Sequence, residues 1–217
     1  MQLHNDIEQG TPEWHDLRLG KLTGSSAAKL LGTPAAREKY LYDRAAEIVT
    51  GCKCDSDECA QSMHMTRGTE FEEVALMKYT VATLSEVQKV GFVELNEFVG
   101  CSPDGLVGDD GMMEVKVPDS NNYFRQILEL ARDSVKAIPK DYYVQMQFNM
   151  FVCDRKWCDY VLYNPKHEAK GKSLFIQRVA RDDIMQERIK EILDSSIKTI
   201  KSHVDKYFDE FKNSQLS

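Results

Sequence analysis

The most chemically informative part of this 217-residue chain is Ser102-Pro103-Asp104-Gly105-Leu106, followed by Met113-Glu114-Val115-Lys116. Glu114 and Lys116 are two apart in a run with strand character, so both side chains leave one face. Gly108-Asp109-Asp110-Gly111, between the two segments, reads as the tight turn of a hairpin. That turn brings Asp104 back beside Glu114. Two carboxylates so placed repel. A divalent cation removes the penalty, and a hard cation takes oxygen ligands; the Val115 carbonyl can point to the same ion. Lys116 can then orient and help deprotonate a water, or stabilise charge developing on a phosphate. The set suits metal-assisted phosphodiester hydrolysis, because metal ions acidify the attacking water and stabilise the leaving oxygen. A Glu-x-Lys triplet alone is better explained by a solvated edge strand. The Ser-Pro-Asp-Gly at hairpin distance gives it chemical meaning.

The elements that must position these residues follow from pattern. Thr11-Pro12 opens a short helix to about Leu19. Ser25 or Ser26 caps a second, ending at Gly32. Residues 35–50 form a helix that stops at Gly51, and 51–65 form a polar loop. Residues 68–82 have helical apolar spacing at Phe71, Val74, Ala75 and Tyr79. Short β-branched runs at 87–95, 98–107 and 111–117 predict three strands. Helices are expected at 120–131 and 139–153, and strands at 157–163 and 173–180. From about Asp182, apolar residues recur at three- or four-residue steps in a long amphipathic helix. With no repeat, low-complexity tract or linker, one domain over 1–217 is expected: an α/β (α+β) sandwich with a mixed central β-sheet flanked by helices.

The formal net charge is −7, with 28 Lys+Arg and 35 Asp+Glu. Residues 51–120 alone carry −9, whereas 1–50 carry −1, 121–170 carry +2 and 171–217 carry +1. The acidic excess surrounds the carboxylates, as a cation site or a solvated face requires. This balance excludes a protein that coats nucleic acid by bulk charge. Basic positions that could track a DNA backbone are Lys21, Arg125, Arg132, Lys136, Lys140, Arg155 and Lys156. No apolar run approaches the ~20 residues of a membrane span, and the polar N-terminus does not read as a secretory signal. A cytoplasmic location is therefore expected, with no membrane partner. Six cysteines then read as free thiols. Cys52, Cys54 and Cys59 lack paired metal-ligand spacing, and His64 is the only nearby fourth ligand, so incidental cysteines explain that loop better than zinc or an iron–sulfur cluster. The five histidines show no metal spacing, and Trp14 and Trp157 read as packing aromatics.

Asp104 with Glu114-Val115-Lys116, including Pro103, resembles the PD-(D/E)XK nuclease signature. More narrowly, the chain resembles the phage lambda exonuclease branch of that superfamily, the viral recombinase nucleases. Glu13 to Gly20 with Leu22-Thr23-Gly24-Ser25 resembles its N-terminal motif. Arg67-Gly68-Thr69-Glu70-Phe71-Glu72 resembles its helix-borne G-x-x-x-E, and Tyr142 to Gln147 its Q-x-Q helix. The motifs occur in family order from residue 13 to about 165.

The resemblance implies a PD-(D/E)XK nuclease core and assigns roles. Asp104 and Glu114, helped by the Val115 carbonyl, would hold metal. Lys116 would position the nucleophilic water. Glu72 would reach a metal directly or through water, with Glu70 and Glu73 as competitors. Gln145 would orient the water or metal shell, while Gln147 points elsewhere. Arg18, Ser25 and Ser102 would form a pocket for a terminal 5′-phosphate, as an arginine fork with hydroxyls suits; a surface ion pair for Arg18 and an N-cap for Ser25 are the plainer readings. The implied activity is a 5′-to-3′ exonuclease on linear double-stranded DNA, releasing mononucleotides and leaving a 3′ single strand for recombination by annealing. It implies Mg²⁺, with Mn²⁺ as a substitute and two ions per site. A ring-shaped homotrimer, a single-strand annealing protein as partner and a phage or prophage origin in a bacterial cell are also implied. The alternatives are another PD-(D/E)XK nuclease, either an endonuclease or an iron–sulfur-bearing exonuclease, and a non-catalytic DNA-binding module.

Overall fold

The computed structural model describes residues 1–54 and 63–215, with side chains at 1–54 and 71–212. Thr11 caps α1 (Pro12–Arg18): its Oγ1 accepts the Trp14 N–H, and Pro12 takes a first-turn position. A 3₁₀ turn (Gly24–Ser26) leads into the single-turn α2 (Ala27–Leu30). Neither Ser25 nor Ser26 caps it through its side chain. Thr33 caps α3 (Pro34–Thr50), which ends at Gly51 in the left-handed region. Next come α4 (Met63–Thr83), α5 (Ser120–Asp133), α6 (Lys140–Cys153) and α7 (Asp183–Gln215).

The expected strands at 87–95 and 98–107 each break in two. The first divides into β3 (Val87–Gln88) and β4 (Phe92–Asn96). Gly91, at the break, lies so close to the Ile7 carbonyl that a Cβ would meet it at 1.8 Å. The second divides into β5 (Val99–Cys101) and β6 (Gly105–Val107). Pro103 between them has no N–H to continue a ladder, and the chain changes sheets there.

The expected single central sheet is therefore two sheets. One has the order β1-β4-β5-β2, where β1 is Gln2–His4 and β2 is Leu22–Thr23. Neither β1 nor β2 carries enough alternation to be legible in sequence. The other has the order β3-β6-β7-β8-β9, with β7 (Gly111–Lys116), β8 (Trp157–Tyr163) and β9 (Leu174–Ala180). Both sheets are mixed: β2–β5 and β7–β8 are parallel, and the other pairs antiparallel. The β7–β8 crossover carries α5 and α6.

Alternation on β7 divides the core. Met113, Val115 and Val117 pack with Ala75 and Tyr79 of α4. Met112 joins the larger cluster with α3, α6 and α7. Glu114 and Lys116 share the parity of Met112, so both turn toward α6. Among the described residues, no helix is long and apolar enough to cross a membrane.

Candidate active site

The β6–β7 hairpin pairs Gly105 with Met113, so Asp104 falls opposite Glu114. The Asp104 carboxylate accepts the Val115 N–H at 2.6 Å. Glu114 is only 1% exposed, and its two oxygens are held from three directions. Lys116 Nζ and Gln145 Nε2 donate to Oε1 at 2.6 and 2.7 Å. Asn149 Nδ2 donates to Oε2 at 3.4 Å. Gln145 and Asn149 are four apart on α6 and share a face. Tyr142, three residues earlier, lays its ring 4.8 Å from Lys116 Nζ, a cation–π contact.

The electrostatics are those of crowded anions. Burial, then Glu114 and Glu72, push the Asp104 carboxyl well above the usual range. Glu72 is raised chiefly by burial; Lys89 opposes the shift and Glu114 adds to it. Burial opposes charge on Lys116, but Glu114 and Asp104 outweigh it and raise its pKa. An all-oxygen donor set short of positive charge fits a hard cation. Among the described residues, no three His, Cys, Asp or Glu side chains lie close enough to hold a metal by themselves. Asp104 and Glu114, with the Val115 carbonyl, are the groups that would hold such an ion, and Glu72 is near enough to be felt electrostatically.

The second half of the site lies where parallel β2 and β5 end. Arg18 Nη2 donates to Ser25 Oγ at 3.0 Å and Thr23 Oγ1 at 3.5 Å, and its Nη1 to Ser102 Oγ at 3.4 Å. Trp14, one turn back on α1, donates its indole N–H to Ser102 Oγ at 2.8 Å and to the Gly91 carbonyl at 3.1 Å. The Arg18 guanidinium stands 4.1 Å over the Trp14 ring. Burial pushes the Arg18 pKa down to about 10, so the group stays charged at neutral pH. Among the described residues Arg18 has no carboxylate partner, and an arginine fork ringed by three hydroxyls suits an anion. Ser102 is two residues from Asp104, so the halves share one loop, with Cα atoms no more than about 7 Å apart. Gln9 pins that loop by donating to the Pro103 carbonyl at 3.1 Å.

The structure thus brings Asp104, Glu114, Lys116 and Gln145 together, and Arg18, Ser25 and Ser102 beside them. Glu73 turns outward and pairs with Lys89 at 3.0 Å; the Glu70 side chain lies outside the described residues. Three positions depart from expectation. Trp14 is more than a packing aromatic: it braces Ser102 and Arg18. Its i, i+4 spacing from Arg18 was the available signal. Asn149 was missed, although its i, i+4 relation to Gln145 marked the same face. Lys21 is no DNA contact, because it is 8% exposed and bound to Glu94 and the Glu97 carbonyl, both at 2.8 Å. Arg155 and Lys156 grip their own 108–110 turn. Gln147 does point elsewhere, donating to the Ala180 carbonyl. Trp157 packs over Gly111. Cys52 and Cys54 are exposed and half-buried; Cys59 and His64, the remainder of that metal reading, lie outside the described side chains.

The model of the YqaJ-like viral recombinase domain matches residues 13–156. The chain belongs to the YqaJ-like viral recombinase family. An alkaline exonuclease from Laribacter hongkongensis superposes with a TM-score of 0.80 at 30% identity, covering 95% of this chain and 100% of its own. The same exonuclease in complex with dAMP gives 0.79 at 30% identity, again with 95% and 100% covered. A phage-related exonuclease from Haemophilus somnus 129PT shares the fold, with a TM-score of 0.65, 18% identity, and 86% and 96% covered. No curated protein matches at a significant level. Exodeoxyribonuclease is the enzyme class this kinship gives to the viral recombinase domain.

Proposed function

We propose that this viral recombinase family member is a Mg²⁺-dependent exonuclease that degrades one strand of linear double-stranded DNA from a 5′-phosphorylated end. One observation carries the reading: the Arg18–Ser25–Ser102 anion pocket and the Asp104–Glu114–Lys116 cluster meet on the Ser102–Asp104 loop. An end phosphate in the first places the next phosphodiester at the second.

Bound Mg²⁺, held by Asp104, Glu114 and the Val115 carbonyl and approached by Glu72, would supply an acidified water and charge neutralisation. The chain supplies the rest. The Lys116 ammonium, held charged by its carboxylate neighbours, orients the water and offsets charge on the phosphate. Gln145 fixes the Glu114 oxygen that Lys116 also holds. The water oxygen bonds to phosphorus, and the bond from phosphorus to the 3′ oxygen of the terminal nucleotide breaks. That oxygen takes a proton, and a 5′-mononucleotide leaves. The shortened strand again carries a 5′-phosphate, so each turnover regenerates the end that the pocket fits. The Laribacter exonuclease was crystallised with dAMP, the kind of product this reaction releases. A ring-shaped homotrimer and a single-strand annealing partner complete the proposal and rest on the resemblance; native mass and co-purification test them.

Digestion of linear duplexes bearing 5′-phosphate or 5′-hydroxyl ends, with and without Mg²⁺, tests the reading. Mononucleotide release with Mg²⁺, faster from phosphorylated ends, is expected. Cutting of covalently closed circles, or indifference to the end group, overturns it.

A further inference from the structure

Asn149 lies between the two halves of the site. It is 1% exposed and projects from α6 toward Glu114. A carboxylate only accepts, so the amide nitrogen faces Glu114 Oε2, 3.4 Å away. The amide oxygen then faces Gly24, at the start of the 3₁₀ turn that carries Ser25. A Cβ built on Gly24 would lie 1.9 Å from Asn149 Oδ1. Among the described residues that oxygen has no hydrogen-bond partner. An unsatisfied buried amide oxygen costs free energy, and packing alone would be served by an apolar side chain. Gly24 has an ordinary backbone conformation, with no positive φ. What demands glycine there is the close approach of Asn149.

We infer that Asn149 is a positioning residue that fixes the terminal-phosphate pocket relative to Glu114, with Gly24 as its matched seat. The side chain touches one half of the site at each end: a carboxylate of the hydrolytic cluster, and the turn that presents Ser25 to Arg18. It sets which phosphodiester meets the carboxylates once the end phosphate is seated. Binding energy from the end phosphate is thereby converted into alignment of the bond to be cut, which raises kcat rather than only lowering KM. This inference rests on the proposed 5′-phosphate pocket.

Mg²⁺-loaded Asn149→Ala, Gly24→Ala and the double variant test it on 5′-phosphoryl and 5′-hydroxyl duplexes. Asn149→Ser serves as a second truncation if the alanine variant folds poorly. The kcat advantage of phosphorylated ends should fall roughly tenfold in each single variant. The binding preference for those ends, read by fluorescence anisotropy in EDTA, should persist. Gly24→Ala should add nothing in the Asn149→Ala background, because the clash it creates is gone; melting temperatures should show the same non-additivity. Equal slowing on both ends, or effects of the two substitutions that simply multiply, overturns the inference. Arg18→Ala separates the two levels. If it leaves both binding and kcat preferences intact, the phosphate pocket itself is wrong. If it erodes them while the Asn149 variants behave as structural lesions, only the inference falls.

Discussion

Trp14 and Ser102, 88 residues apart in sequence, are joined by a 2.8 Å hydrogen bond from the indole N–H to the serine Oγ. Arg18 donates to the same oxygen, so both acceptor directions of the hydroxyl are taken and its proton is left to point into the pocket. In the proposed 5′-phosphate pocket, Ser102 would then be the donor to the phosphate. Trp14→Phe keeps an aromatic ring near Arg18 but deletes the N–H together with the second ring of the indole. One neutral hydrogen bond is worth about 0.5–1.5 kcal/mol. The rate advantage of 5′-phosphoryl over 5′-hydroxyl ends should therefore fall by roughly two- to tenfold, less than in Arg18→Ala. A Trp14→Phe enzyme with undiminished end preference would show that Ser102 needs no such brace.

Asp104→Asn and Lys116→Ala should each lower digestion by roughly 100-fold or more, with circular dichroism close to wild type. Asp104 is a turn residue whose carboxylate accepts the Val115 N–H, and an asparagine oxygen can replace that bond. Lys116 ends β7, and its loss leaves the buried Glu114 carboxylate without its ammonium partner, so Lys116→Ala should keep the fold but melt lower. Near-wild-type digestion by either variant removes it from the chemistry.

How much of this was legible depended on distance along the chain. The hairpin was readable because turn glycines and β-branched runs act locally, and it alone sets Asp104 opposite Glu114. Gln145 was readable only through the resemblance of the stretch from Tyr142 to Gln147 to the family's Q-x-Q helix. The break at Pro103 was not read as a change of sheet: proline signals the end of a ladder, but not which sheet receives the chain next. Residue type alone places Trp14 among packing aromatics and says nothing of Asn149, because it cannot reveal partners 88 and 35 residues away. Lys21 was misjudged for the same reason, since Glu94 is remote in sequence.

Stability and catalysis should separate at Tyr79. Its hydroxyl donates to Asp159 Oδ2 at 2.6 Å, on the α4 side of the sheet. Asp159 is 1% exposed and also holds Arg178 through both oxygens, at 2.8 and 2.9 Å. Tyr79→Phe removes one bond to a charged acceptor, worth about 1.5–3 kcal/mol, and leaves the ion pair. Urea melts should show that loss while cleavage rates of the folded enzyme stay unchanged. A variant as stable as wild type would mean the bond contributes nothing net.

Metal binding and pH should be linked through Asp104 and Glu72. Both carboxyls are raised above their ordinary values of 3.8 and 4.5 in the metal-free fold. The folded protein thus holds protons that the unfolded chain has already lost. Stability of the metal-free protein therefore falls as pH rises from those ordinary values through the raised ones. A divalent cation competes with the same protons. Its affinity, and the rise in melting temperature it produces, should grow with pH over that interval, and binding should release protons measurable by calorimetry in buffers of different ionisation heat. Asp104→Asn removes one of the two carboxyls and should flatten the dependence. A Mg²⁺-induced melting shift that is the same at about pH 5 and about pH 8 would uncouple these carboxyls from the metal.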